Sequence, residues 1–246
     1  MARLLLLSNS TNHGAGYLDH AMPEIRALLG PVRRLLFVPF ALRDQAAYVG
    51  KVRERFARER VHVFGLTADE AGVRALESAE AVFVGGGNTF RLLKTLQDAA
   101  LLDLLGRRAR EGMPYLGASA GINLACPSIK TTNDMPIVQP SRFDALGLVP
   151  FQINPHYVDP DPSSRHMGET REERIREFLE ENDLAVVGLR EGAWLRIEGS
   201  AGEVGGAAGV RIFGRGRAPE ERGEGAALDD LLAAGSAALR EPGTSS

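Results

Sequence analysis

Met113-Pro114-Tyr115-Leu116-Gly117-Ala118-Ser119-Ala120-Gly121-Ile122-Asn123-Leu124-Ala125 is the stretch that decides how this chain reads. A short apolar run enters a Gly-x-Ser-x-Gly pentad, and the residues after it read as the start of a helix. Strand, sharp turn, helix is the nucleophile-elbow pattern. The spacing has a steric cause. A serine at such a turn has a strained backbone, and only small neighbours let strand and helix approach closely. Its hydroxyl then stands clear of the sheet, and the next amide, that of Ala120, points at the same spot and can help hold an oxyanion.

The pattern on either side of the elbow sets the fold class. Leu4 to Leu7, Leu35 to Pro39, Val61 to Gly65, Ala81 to Val84 and Leu184 to Leu189 are short, largely apolar runs, as in strands covered on both faces. Helical spacing over Tyr17–Leu29, Asp44–Arg58, Asp69–Ser78, Thr89–Leu96, Leu101–Arg110 and Thr170–Asn182 alternates with them. That rhythm predicts an α/β protein with a mostly parallel sheet and helices on both faces. Leu148 to Asn154 reads as one more strand, with His156 at its end. Ala193 to Phe213 reads as antiparallel hairpins at the sheet edge. The expected organisation is a single α/β domain over residues 1–214 and a partly disordered C-terminal extension over 215–246. In such sheets the ligand crevice lies beyond the carboxyl ends of the strands. Ser119 and Gly85-Gly86-Gly87-Asn88 both fall there.

Composition narrows the function classes. The chain has 246 residues, 44% hydrophobic and 25% charged, with a formal net charge of -3. Without a basic block, nucleic acid is not an expected partner. No stretch is long enough to span a bilayer, so neither is a membrane. Cys126, the one cysteine, fits a reducing compartment, and the N-terminal apolar run is too short for a signal peptide. A cytoplasmic location is expected. No His or Cys pair has ligand spacing, so no metal and no cofactor are expected.

A serine hydroxyl needs a base to take its proton. Of the five histidines, His13, His20 and His62 read as structural or solvated, and His166 sits in a loop without a partner pattern. His156 is the candidate base, since it follows a buried strand into the crevice. The carboxylate that fixes its tautomer is either Asp134, in Thr131-Thr132-Asn133-Asp134, or Glu191, directly after a buried strand. The glycine triplet lacks the lysine and hydroxyl of a phosphate-binding loop. It is instead expected to supply oxyanion or substrate-binding amides from Gly86, Gly87 and Asn88, beside that of Ala120.

Taken together, several segments resemble the peptidase E family of cytoplasmic α-aspartyl dipeptidases. They are Val84-Gly85-Gly86-Gly87-Asn88-Thr89-Phe90, Gly117-Ala118-Ser119-Ala120-Gly121, Thr131-Thr132-Asn133-Asp134-Met135-Pro136, Asn154-Pro155-His156-Tyr157 and Gly168-Glu169-Thr170-Arg171-Glu172-Glu173-Arg174. The resemblance implies a glutaminase-like fold (class I glutamine amidotransferase-like, flavodoxin-like). It also implies Ser119 as nucleophile, His156 as base and Asp-X dipeptides as the small peptide substrate. Both Asp134 and Glu191 fall at positions proposed for the third triad member. A site that demands an N-terminal aspartate needs a cation for its β-carboxylate, and Arg171 is the candidate. The loop from Tyr157 to Gly168 is expected to wall the cleft. A homodimer is compatible with this reading. The alternatives are a related aspartyl-amide hydrolase of the same fold (cyanophycinase-like) and a non-catalytic binding module for an anionic metabolite.

Overall fold

The computed structural model describes residues 1–161, 163 and 168–238. In chain order the strands are β1 (Arg3–Leu7), β2 (Arg34–Val38), β3 (His62–Gly65), β4 (Ala81–Val84), β5 (Tyr115–Ala118), β6 (Gln152–Tyr157), β7 (Val186–Arg190), β8 (Trp194–Glu198), β9 (Ala201–Gly205), β10 (Val210–Phe213) and β11 (Glu220–Arg222). The helices are α1 (Met22–Leu29), α2 (Gln45–Ala57), α3 (Glu70–Glu77), α4 (Thr89–Asp98), α5 (Leu102–Arg110), α6 (Ala120–Ala125), α7 (Arg171–Glu181) and α8 (Asp229–Ala238). Among the described residues no helix is long and apolar enough to cross a membrane.

The strands form two sheets. The larger has seven strands in the order β3-β2-β4-β5-β1-β8-β9, and the smaller has four in the order β11-β10-β7-β6. From β3 to β1 all neighbours in the large sheet are parallel, while β8 and β9 add an antiparallel hairpin beside β1. In the small sheet β6 and β7 are parallel, and β10 and β11 run antiparallel. The apolar strands are covered on both faces, and their alternation shows it. Leu4 and Leu6 lie in one core layer with Val82, Val84 and Ile122, whereas Leu5 and Leu7 lie in the other with Phe37, Phe83 and Leu116. Successive side chains of a strand point to opposite faces, so an unbroken apolar run is what two covered faces require.

Two expectations change here. The strand that carries His156 is not in the main sheet, and it starts at Gln152 rather than Leu148. The Leu148 and Val149 amides instead bond the Ala125 carbonyl at the end of α6, and Pro150 has no amide to extend a ladder. Pro155 is tolerated in β6 because that strand is an edge of its sheet. The chain past Gly214, expected as an extension, contributes to the same body. β11 pairs with β10, and Leu228 and Leu232 are buried in the larger core. The expected disordered tail over 241–246 lies outside the described residues, as does His166.

The sheets are tied at Ser8, directly after β1. Its hydroxyl accepts from the His156 amide at 2.9 Å and donates to the Leu189 carbonyl at 2.8 Å. Ser8 is fully buried, so neither bond is replaced by water when it is lost. Ser8→Ala is expected to cost roughly 1–3 kcal/mol, from a buried amide and carbonyl left without a partner. Urea denaturation measures it. The glycines offer a paired test. A Cβ on Gly121 would sit 2.3 Å from the Val84 carbonyl oxygen, whereas one on Gly50, inside α2, would meet nothing within 4 Å. Gly121→Ala should therefore destabilise by about 1–3 kcal/mol through overpacking. Gly50→Ala should stabilise by roughly 0.5–1 kcal/mol, the helical disadvantage of glycine. Opposite shifts in the same denaturation assay check the pair.

Candidate active site

Ser119 stands between β5 and α6 with φ 51° and ψ -109°. Left-handed φ is costly for a residue with a Cβ, and the neighbours hold it there. The Ser119 amide donates to the Leu7 carbonyl at 3.1 Å, and the Tyr115 hydroxyl donates to the Gly121 carbonyl at 2.6 Å. Gly86 comes so close that a Cβ there would lie 3.1 Å from the Ser119 Cβ. The pentad thus does sterically what its spacing implies.

His156 also has a positive φ, 54°, at the point where the pairing of β6 with β7 slips between Pro155 and Tyr157. With its amide on Ser8, its ring reaches across to the elbow. Nε2 lies 2.9 Å from Ser119 Oγ and Nδ1 lies 2.7 Å from Glu191 Oε1. An ionised carboxylate only accepts, so Nδ1 carries the proton and Nε2 of the neutral ring accepts from the serine hydroxyl. Glu191 opens the turn between β7 and β8. That turn is held by Asn9, whose Oδ1 accepts from the Gly192 amide at 2.8 Å. Ser8 and Asn9 lie in the polar stretch directly after β1 and belong to no motif of the sequence. The one signal that marks them is their place at the carboxyl end of a strand buried on both faces.

Asp134 is elsewhere. Its Oδ2 accepts from the Thr89 amide at 2.8 Å, from Thr89 Oγ1 at 2.6 Å and from Thr132 Oγ1 at 3.1 Å. It sits on the first turn of α4, where a carboxylate faces unpaired amides and the positive end of the helix dipole. It anchors the 131–137 loop and makes no bond to the imidazole. Asn88 is engaged too. Its Oδ1 caps α4 through the Arg91 amide, its Nδ2 donates to the Met135 carbonyl, and its own amide donates to Ala41. This takes Asn88 out of the expected anion-binding set. The Gly86 amide lies at the Tyr48 phenol. Among the described residues the Gly87 and Ala120 amides near Ser119 make no hydrogen bond and remain the candidate oxyanion donors. Gly87 adopts φ 130° with a Cβ position already filled by the Ala41 carbonyl, 2.7 Å away.

The cavity beside the serine has a volume of about 610 Å³ and is lined by both Ser119 and His156, with Tyr17, Tyr48 and the two glycines on its walls. Arg171 opens onto a neighbouring depression shared with Asn133, Asp159 and Arg174. Its Nη1 donates to Asn133 Oδ1 at 2.9 Å, and Asn133 in turn donates to the carbonyl of Pro155, next to His156. Burial, with Arg174 nearby, holds the Arg171 guanidinium below its ordinary value, and Asp134 opposes that shift. Val158 to Asp161 and Gly168 wall this depression rather than the serine cavity, and the middle of the loop lies largely outside the described residues. Cys126 is fully buried and its thiol is pushed up to about 12 by burial, which makes it a core residue. Among the described residues no cluster of His, Cys, Asp or Glu could hold a metal ion.

Comparison with known proteins assigns the chain to a family. The model of "Peptidase family S51" matches residues 4–205. The chain is 56% identical over 229 residues to the peptidase E of Streptomyces coelicolor, covering 93% of this chain and 94% of that one. It is 46% identical over 232 residues to the "Probable alpha-aspartyl dipeptidase" of Drosophila melanogaster, covering 93% and 97%. The crystal structure of a peptidase from an acI-B1 Actinobacterium shares the fold, with a TM-score of 0.67 at 18% identity over 93% of this chain and 96% of that one. The chain therefore belongs to peptidase family S51.

Proposed function

We propose that this protein hydrolyses dipeptides that begin with aspartate, with Ser119 as nucleophile, His156 as general base and acid, and Glu191 as the group that orients the imidazole. The observation that carries the reading is the continuous chain Ser119 Oγ to His156 Nε2 (2.9 Å) and His156 Nδ1 to Glu191 (2.7 Å). Ser119 Oγ attacks the scissile carbonyl carbon while its proton moves to His156 Nε2. The carbonyl oxygen becomes an oxyanion facing the Gly87 and Ala120 amides, which bond it more strongly than the neutral carbonyl. The carbon–nitrogen bond then breaks, and His156 gives its proton to the departing amine. A water molecule, deprotonated by His156, attacks the aspartyl ester, releases aspartate and restores the serine. The substrate class rests on the relatives' names and on Arg171, a half-buried cation without a carboxylate partner among the described residues.

Ser119→Ala should stay folded and lose on the order of 10⁴-fold or more in turnover of Asp-Leu. Glu191→Gln should lower kcat at least about 10²-fold because the amide no longer selects the right tautomer. Asp134→Asn should keep kcat within about tenfold, since it acts on the loop and not on the ring. Release of free aspartate, followed with purified variants, checks all three. A near-normal Glu191→Gln beside an inactive Asp134→Asn would reverse the assignment. If Arg171 pairs with the β-carboxylate, Asp-Leu is cut about tenfold to hundredfold better than Asn-Leu, the worth of a charge-assisted bond. Arg171→Met should shrink that ratio towards one; an unchanged ratio places the reading of aspartate elsewhere.

A further inference from the structure

The cavity that Ser119 and His156 share extends away from the elbow along one face of α2. Asp44, Ala47, Tyr48 and Lys51 all line it, and their spacing of three, four and seven residues is that of a single helical stripe. Arg43 lines it as well. Two cations therefore stand in the nucleophile's own cavity, and among the described residues neither has an ion-pair partner. Lys51 is positioned by an aromatic face, its Nζ lying 4.3 Å from the centroid of the Tyr17 ring. Asp44, the carboxylate of the same wall, caps α2 by accepting from the Ala47 amide at 2.9 Å.

The side of the scissile bond that this cavity serves follows from His156. The imidazole has to protonate the leaving amine, so the leaving residue occupies the space onto which Ser119 and His156 both open. In a dipeptide that residue ends in a free carboxylate, one residue length beyond the scissile bond, roughly 3.3–3.6 Å. A group that reads this carboxylate must share the serine's cavity, as Lys51 and Arg43 do and Arg171 does not. Resting on the aspartyl-peptidase reading above, we infer that Lys51, assisted by Arg43, binds the C-terminal carboxylate of the leaving residue and makes the enzyme a dipeptidase. A third residue would replace that carboxylate with a neutral amide and push the chain into the cationic end. Tyr17, Tyr48 and Leu42 supply apolar wall for the leaving side chain.

The test compares Asp-Leu with Asp-Leu-amide, which differ only in the terminal charge, and adds Asn-Leu as a control for the other carboxylate. The wild-type protein should favour the free acid by about tenfold in kcat/KM, a modest factor because both cations are solvent-exposed. Lys51→Met should lower kcat/KM for Asp-Leu several-fold, mainly through KM, and pull the acid-to-amide ratio towards one. Arg43→Met should do so more weakly, and Lys51→Arg, which keeps the charge, should hold the ratio. Equal cleavage of acid and amide by the wild type overturns the inference, and so does an unchanged ratio in Lys51→Met. It is also overturned if Lys51→Met erases the preference for Asp-Leu over Asn-Leu and leaves the acid-to-amide ratio alone. Failure of the aspartyl-peptidase reading looks different: the wild type then cuts none of the three substrates, and the inference falls with it.

Discussion

Two residues that are not glycine hold positive φ on either side of one hydrogen bond. Ser119 at 51° and His156 at 54° each store strain of order 1–3 kcal/mol, and each belongs to a different sheet. Such conformations persist only where the surroundings over-determine them. Ser119 is held by the Leu7 carbonyl and by glycines at 86, 117 and 121 that leave no room for another path. His156 is held by Ser8, the residue that follows Leu7. One strand end, Leu7-Ser8-Asn9, thus fixes the serine, the histidine and, through Gly192, the turn that carries Glu191. Displacing β1 would separate all three side chains at once. This gives a physical reason for its inner position in the seven-stranded sheet, between β5 and β8, and for its burial on both faces.

That dependence explains what was legible in the sequence and what was not. The elbow was legible because its cause is local: five consecutive residues, small where the helix passes the strand. The parallel core was legible because burial on both faces leaves unbroken apolar runs. The split into two sheets was not. β7 is an apolar run like those of the main sheet and β6 is a mixed one, and only long-range pairing decides which sheet a strand joins. The roles of Ser8 and Asn9 were hidden for a related reason, since their partners lie at Gly192, Leu189 and His156, well over a hundred residues away. Asp134 and Glu191 both stayed open as the orienting carboxylate, the first by chain order and the second by its place after a buried strand. What separates them is the amide-rich start of α4, which draws Asp134 to Thr89 and leaves Glu191 beside the ring.

The exposure of this pair also bears on its chemistry. The side chains of His156 and Glu191 are 37% and 60% exposed, so their attraction is screened, and an exposed ion pair is worth at most about 1 kcal/mol. Glu191 therefore matters less as a source of Coulomb energy than as an acceptor that selects which ring nitrogen carries the proton. Closure of the cavity around a substrate would change that balance, because excluding water strengthens a charge pair already in place.

Among the described residues, cations without an ion-pair partner lie both in the serine cavity and in the depression beside it. The serine cavity holds Arg43 and Lys51 beside Asp44, and the depression next to it holds Arg171 among Asp159, Asp161 and an Arg174 that pairs with Glu169. An Asp-X dipeptide carries one ammonium and two carboxylates, so it is a net anion with its negative charges on either side of the scissile bond. Unpaired cations in both places, Arg43 and Lys51 in one and Arg171 in the other, match that distribution, whereas a single central cation would bind substrate and product alike. Hydrolysis also separates the two carboxylates into different molecules, so neither product engages the cations on both sides. A site built this way holds the intact dipeptide more firmly than either product, which favours release after each turnover.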